Sequence, residues 1–234
     1  MIEKRKQPNG KIVSYLTTNS LWVKCFGEGG NGIWSPRNLK KGRQLCPNPD
    51  MVFDVGANIG QTAIEYADWA KEVWSFEPLP HLFEVAQSNV NDNNCSNVKL
   101  HQVAISDKHD TVKMVAVKSN DGQSHISPKG DYEVSAIPLD SLEIPEGRNV
   151  NYLKIDVEGH ELSVIRGAKN LISKHKPIIQ MECIEKLLNR AGTSQTEVIS
   201  EVISLGYRAQ TCGGKEILSS KEAPSGEIFF LPVK

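Results

Sequence analysis

Between residues 50 and 190 the chain alternates short, mainly apolar runs with longer stretches in which apolar residues recur every three or four positions. The runs Met51-Val52-Phe53-Asp54-Val55, residues 72–76, 151–157 and 177–183 read as strands buried on both faces. Residues 61–70, the stretch opened by Pro80 with Leu82, Phe83, Val85, Ala86 and Val90, and residues 161–174 read as helices. Residues 98–105 alternate and predict a further strand. A hairpin-like excursion at 108–135, turning at Asn120-Asp121-Gly122, interrupts the series. A helix at 196–205 and strands at 207–211 and 227–231 close it. Upstream, residues 11–26 suggest two short strands about a turn at 17–20, and 27–49, rich in Gly, Pro and Asn, suggest irregular cover. The expected fold is α/β, a mostly parallel sheet with helices on both faces and an N-terminal β-hairpin-like extension. Residues 1–50 would form the extension covering the site and 51–234 the main domain.

Composition excludes classes rather than choosing one. At 234 residues, 39% hydrophobic and 24% charged, the chain has the profile of a globular protein with a sizeable core. Lys plus Arg number 27 and Asp plus Glu 28, a net charge of −1, which gives no electrostatic footprint for nucleic acid or anionic membrane. The five cysteines are scattered without a C-x-x-C pair, which fits free thiols in a reducing cytoplasm. The charged N-terminus lacks an apolar signal region, and no stretch reaches the ~18 apolar residues of a membrane span.

Ligands of open α/β sheets sit beyond the carboxyl ends of the strands, so strand-end residues carry the chemistry. The first strand ends in Asp54-Val55-Gly56-Ala57-Asn58-Ile59-Gly60, whose glycines allow a tight turn and close backbone approach. The second ends in Phe76-Glu77-Pro78, with Glu77 placed 21 residues after Gly56, a spacing suited to a carboxylate that accepts from both hydroxyls of a ribose. A dinucleotide would need a compact G-x-G-x-x-G against its pyrophosphate, whereas this loop has Asn58 in place of a third close glycine. It also carries Asp54, expected to repel phosphates and attract the sulfonium and ammonium of S-adenosylmethionine.

The segments at 52–60 and 76–78, with Val103-Ala104-Ile105-Ser106-Asp107 and Leu153-Lys154-Ile155-Asp156-Val157-Glu158-Gly159-His160-Glu161, resemble the FkbM-type methyltransferases. This family has a Rossmann-like fold and depends on S-adenosylmethionine. The resemblance spans roughly residues 50–190 and implies methyl transfer to a hydroxyl oxygen of a sugar, glycan or small metabolite. By position it implies that Asp54, Gly56, Ala57, Asn58 and Gly60 hold the methionine portion. Glu77 and Pro78 would meet the ribose, and Ala104, Ile105 and Ser106 the adenine, with Leu82 and Phe83 as further wall.

Methyl transfer to oxygen is an in-line displacement, so the enzyme must align the acceptor and remove its proton. His160 is the first candidate base, followed by Glu158 or Asp156; the alternating spacing of these carboxylates suggests that both point to one side. Glu182 could complete an acidic pocket, while Glu161 fits a helix-capping role. An alternative use of Asp156, Glu158, His160 and Glu182 is to hold a divalent cation, but their spacing matches no fixed metal loop and a metal is not favoured. Competing readings are an RNA ribose 2′-O-methyltransferase, from Lys154, Asp156 and Glu182, a non-catalytic nucleotide-binding or interaction module, and a nicotinamide oxidoreductase. Trp22, Trp34 and His125 are candidate acceptor contacts, and the sequence is silent on oligomeric state.

Overall fold

The computed structural model describes residues 1–28, 30, 32–117, 123–219 and 223–233. The chain opens with β1 (Ile2–Lys6) and β2 (Ile12–Leu16), an antiparallel pair. The hairpin therefore lies earlier than the pattern suggested, and the apolar residues after the 17–20 turn form a helix, α1 (Ser20–Phe26). Asn19 is the cause: its side-chain oxygen accepts from Leu21 N and Trp22 N at 3.0 and 3.3 Å, capping the first turn. The expected irregular cover contains α2 (Pro36–Leu45), with proline in the first turn, where its missing N–H is not needed.

The main sheet is built from β3 (Met51–Val55), then α3 (Gln61–Ala67), β4 (Glu72–Phe76), α4 (Pro80–Asp92) and β5 (Val98–His101). The expected strand at 98–105 is two strands. After a tight turn in which Val103 N donates to His101 O, β6 (Ala104–Ile105) leaves for a second sheet with β7 (Asp110–Val115), β8 (His125–Ile126) and β9 (Tyr132–Ile137). The expected turn at 120–122 lies outside the described residues. The main sheet resumes with β10 (Val150–Ile155), α5 (Glu161–Arg166), α6 (Lys169–His175) and β11 (Ile178–Cys183). It ends with α7 (Glu185–Arg190), α8 (Gln195–Ser204), β12 (Tyr207–Thr211), β13 (Glu216–Ile217) and β14 (Gly226–Pro232). The single helix expected at 161–174 is broken at Gly167, where a Cβ would meet Ser106 O at 1.9 Å; the second sheet packs onto that gap.

Strand order in the main sheet is β13-β12-β14-β11-β10-β3-β4-β5. The pairs from β11 to β5 are parallel, whereas β14 runs antiparallel to both β11 and β12. Alternation along β3 explains the two layers of helices. Met51, Phe53 and Val55 pack with α5, α6 and α8 through Leu162, Ile172 and Val202, while Val52 packs with Leu39 of α2 and Tyr66 of α3. Each such buried side chain contributes ~1.5–3 kcal/mol.

The N-terminal hairpin is fastened to α4 by side-chain amides. Asn89 Oδ1 accepts from Ser14 N at 2.6 Å and Asn89 Nδ2 donates to Ser14 O at 3.0 Å, and Asn93 makes the same pair with Ile12 at 2.9 and 2.7 Å. Asn89 Nδ2 also donates to Ile59 O at 2.7 Å, so one buried side chain joins the hairpin to the loop after β3.

Candidate active site

The carboxyl ends of β3, β4 and β10 open into a cavity of about 490 Å³, within the range of small-molecule sites. It is roofed by Leu21 and Trp22 of α1 and by Trp34, with Gln123, Ser124 and Ile126 from the second sheet's excursion. His125 does not line it.

The loop after β3 is shaped by its glycines and by Glu77. Gly56 has φ +81° and a Cβ there would lie 1.8 Å from Asp156 O, so only glycine lets this loop cross the end of β10. Glu77 is buried with both oxygens engaged: Oε2 accepts from Asn58 N and Oε1 from Leu79 N, each at 2.9 Å. Burial raises its carboxyl to about 7 against the pull of those backbone donors. Each oxygen keeps a lone pair for a further donor.

Gly56, Ala57, Asn58, Glu77, Pro78, Ala104 and Ile105 line the cavity, as does Leu82. Asp54, Gly60, Ser106 and Phe83 do not. The reason expected for Asp54 also changes. It is fully buried, its Oδ2 accepts from Thr62 Oγ1 at 2.8 Å, and its Oδ1 lies 3.0 Å from Lys154 Nζ. Its charge is matched within the protein and is not free to repel phosphate or draw a cation. Lys154 Nζ also donates to Gly56 O at 2.9 Å and lies 3.5 Å from Asp156 Oδ2, tying the ends of β3 and β10 together. Burial alone would depress this ammonium, but Asp54 and Asp156 hold it above the usual lysine range. Ser106 is turned to the second sheet, its N–H donating to Ile137 O.

Asp156, Glu158, His160 and Glu182 also line the cavity. Carboxylate oxygens of Asp156, Glu158 and Glu182 lie within 4.8 Å of one another. They meet through a turn rather than through strand alternation, because β10 ends at Ile155 and Glu158 takes a left-handed backbone with φ 57°. Glu161 holds that turn: its Oε1 accepts from Gly159 N at 3.1 Å and Val157 N at 3.3 Å, the backbone-binding role expected of it. Arg190 Nη2 donates to Glu158 O at 2.7 Å from α7, a helix the sequence pattern did not reveal.

Crowding sets the protonation of this cluster. Burial, then the neighbouring Asp156, push Glu158 to about 8; burial, then Asp156 and Glu158, push Glu182 to about 9. Glu227, paired directly opposite Glu182 across β11 and β14, adds to this and is itself raised by burial to about 7. Glu227 was missed because its place depends on antiparallel pairing of distant segments. Burial, then His125 and Arg190, lower His160 to about 4, so its ring is neutral at pH 7 and a weak base. Among the described residues, Glu182 Oε2 and His160 Nδ1 are buried without a hydrogen-bond partner.

Gln61, absent from the sequence expectations, is the first residue of α3, buried and cavity-lining. Lys186 of α7 also faces the cavity, beside Arg190.

A sheet of this order, with a glycine loop, the buried Glu77 carboxylate and an acidic cluster round one cavity at its strand ends, has the fold of the class I S-adenosylmethionine-dependent methyltransferases. Residues 54–209 match the family described as the Methyltransferase FkbM domain, and the chain belongs to that family. It is 29% identical over 181 residues to the hexuronic acid methyltransferase AglP of Haloferax volcanii, covering 71% of this chain and 75% of that protein. Among solved structures, the FkbM methyltransferase of Methylobacillus flagellatus KT superposes with a TM-score of 0.51 at 19% identity. That match covers 78% of this chain but only 43% of the Methylobacillus chain. SMU.1697c of Streptococcus mutans, in complex with SAH, shares the fold with a TM-score of 0.53 at 8% identity, over 84% of this chain and 96% of that one. The roof residues before 54 lie outside the family match.

Proposed function

We propose that the protein transfers the methyl group of S-adenosylmethionine to a hydroxyl oxygen of a sugar, a glycan or a similar small metabolite. The observation that carries this reading is the three-carboxylate cluster of Asp156, Glu158 and Glu182 in the same cavity as the Gly56 loop and Glu77. Bound there, the cofactor supplies a methyl carbon already activated by its sulfonium. Glu77 is suited to accept from the ribose hydroxyls, and Ala104, Ile105 and Leu82 give an apolar wall for adenine. The acidic cluster favours the cation, and once the sulfonium has drawn Glu158 and Glu182 into their ionised forms these carboxylates are its stronger bases for the acceptor's proton. Neutral His160 stands beside them and offers the acceptor a ring Nδ1 that has no partner among the described residues.

Residues 1–50 serve as cover in this reading, through Leu21, Trp22 and Trp34. A sugar acceptor is supported by the relative that is named for acting on hexuronic acid. RNA is disfavoured because a net charge of −1 gives no electrostatic footprint for a phosphate backbone. No described helix is long and apolar enough to cross a membrane. Five free thiols support a cytoplasmic location.

The test incubates the protein with S-adenosylmethionine and a panel of uronic acids, neutral sugars and phenolic metabolites, read by mass spectrometry for one added methyl group. Transfer to a sugar oxygen is expected; cofactor binding with no transfer to any acceptor would favour a non-catalytic module. A second reading rests on the carboxylate oxygens of Asp156, Glu158 and Glu182 lying within 4.8 Å of one another, close enough for a divalent cation such as magnesium to gather them. Activity abolished by chelation and restored by magnesium would establish it.

A further inference from the structure

Most charged side chains in the cavity lining are matched within the protein. Glu77 has two backbone N–H groups, Lys154 has Asp54 and Asp156, and Glu158 Oε2 lies 3.7 Å from Arg190 Nη2. Lys186 is different. It lines the cavity from α7, is exposed, and makes no hydrogen bond or ion pair among the described residues. The adjacent Glu185 is engaged elsewhere, its Oε2 accepting from Gln195 N at 2.7 Å, and it is not part of the lining.

Arg190 stands one turn further along α7 and lines the same cavity. Its Nη2 donates to Glu158 O at 2.7 Å, which leaves most of the five guanidinium donors for a ligand. One short helix thus brings two cations to the cavity that holds Asp156, Glu158 and Glu182. A neutral sugar offers them nothing of opposite charge. A sugar acid offers a carboxylate, the planar group that a guanidinium fork and a lysine ammonium bind with charge-assisted hydrogen bonds. His160 Nδ1, buried and unpartnered in the same lining, suits a hydroxyl of that ring. A phosphate, at a charge of about −1.5 to −2, would meet stronger repulsion from the three carboxylates than the single charge of a carboxylate does.

The cofactor's own carboxylate is the competing anion. Arg190 fastens α7 to the turn that carries Glu158, and an acceptor hydroxyl must reach Glu158 or Glu182 to lose its proton. The acceptor is therefore the ligand that passes α7. We propose that Lys186, with Arg190 beside it, binds a carboxylate on the acceptor, so that the protein selects a sugar acid over the matching neutral sugar. The assignment rests on the methyltransferase reading above and narrows its acceptor.

The test measures kcat/KM for matched pairs of methyl glycosides, the glucuronoside, galacturonoside and mannuronoside against the glucoside, galactoside and mannoside, which differ only in carrying a carboxylate or a hydroxymethyl group at C6. At least one uronoside should be preferred to its neutral partner by about tenfold or more. Lys186→Met should cut that preference about tenfold through KM, and Lys186→Arg should keep it. Both variants should keep the wild-type thermal midpoint, since the ammonium is exposed and unpaired, and should bind S-adenosylhomocysteine in calorimetry within about twofold of wild type. No preference for any uronoside, an equal loss on both members of a pair, or an unchanged preference in Lys186→Met would overturn the proposal. Weakened S-adenosylhomocysteine binding in Lys186→Met would overturn it by giving the lysine to the cofactor. A methyl ester as product, released by mild alkali, would overturn it by placing the carboxylate at the methyl donor rather than on α7. Binding of S-adenosylhomocysteine with no transfer to either member of any pair would remove the sugar reading and this proposal with it.

Discussion

Lys154 Nζ lies 3.0 Å from Asp54 Oδ1, and neither side chain has meaningful contact with solvent. A buried pair of this kind adds little net stability, but removing one partner leaves an uncompensated charge. Lys154→Met should therefore destabilise the fold by about 3–5 kcal/mol. The double variant Lys154→Met with Asp54→Asn should recover much of that loss. Urea unfolding of the three proteins checks it; equal stability of the single and double variants would show that the charge is not the cause.

The acidic cluster makes stability depend on pH with a definite sign. Glu158 and Glu182 titrate near 8 and 9 in the folded chain, against a reference value of 4.5. Between those limits the native state holds protons that the unfolded chain has released, so stability falls as pH rises toward 9. His160, lowered to about 4, gives the opposite slope between its usual 6.5 and 4, so the measurement belongs above pH 7. Thermal midpoints should fall between pH 7 and 9.5, and Glu182→Gln should flatten the fall.

The same crowding links cofactor charge to protons. A sulfonium beside Glu158 and Glu182 favours their ionised forms, so S-adenosylmethionine should release protons on binding at pH 7. S-adenosylhomocysteine, lacking that charge, should release fewer. Calorimetry in buffers of different ionisation enthalpy counts them, and equal release for both ligands would place the sulfonium away from the cluster.

Glu158 adopts φ 57°, a backbone conformation that costs a non-glycine residue roughly 1 kcal/mol. Glu158→Gly should raise stability by about that amount and lower methyl transfer at least tenfold, since the carboxylate is lost from the cluster. Loss of stability together with activity would mean the carboxylate also holds the turn.

Glu77→Ala removes the acceptor shared by Asn58 N and Leu79 N. S-adenosylhomocysteine affinity should drop a hundredfold or more, and the two bared N–H groups should cost about 1–3 kcal/mol each where they stay buried. Binding by the folded variant at wild-type affinity would refute the ribose role.

Strands buried on both faces were legible from the chain alone, because β3, β4 and β10 are short, predominantly apolar runs bounded by Gly, Pro or polar residues. So was the meeting of Asp156, Glu158 and Glu182, although a left-handed turn rather than strand alternation brings it about. Leu21-Trp22-Val23 misled because an apolar run of that length suits either a strand or a helix, and the deciding signal was Asn19 as a cap. Three facts could not be read locally. The Lys154–Asp54 pair joins residues a hundred positions apart, Glu227 meets Glu182 only through antiparallel pairing, and the unmet amide of Gln61 is defined by the lack of a hydrogen-bond partner among the described residues.

The paired amides of Asn89 and Asn93 act on β2 as a counterfeit strand. Four helical residues rise about 6 Å and two extended residues about 6.6 Å, so one helix face can imitate the spacing of alternate peptide groups along an edge. The imitation ends after two rungs and offers nothing beyond itself to bind. A bare margin that would otherwise invite sticking between molecules is thereby sealed by two side chains, and their loss would turn the hairpin into a template for aggregation.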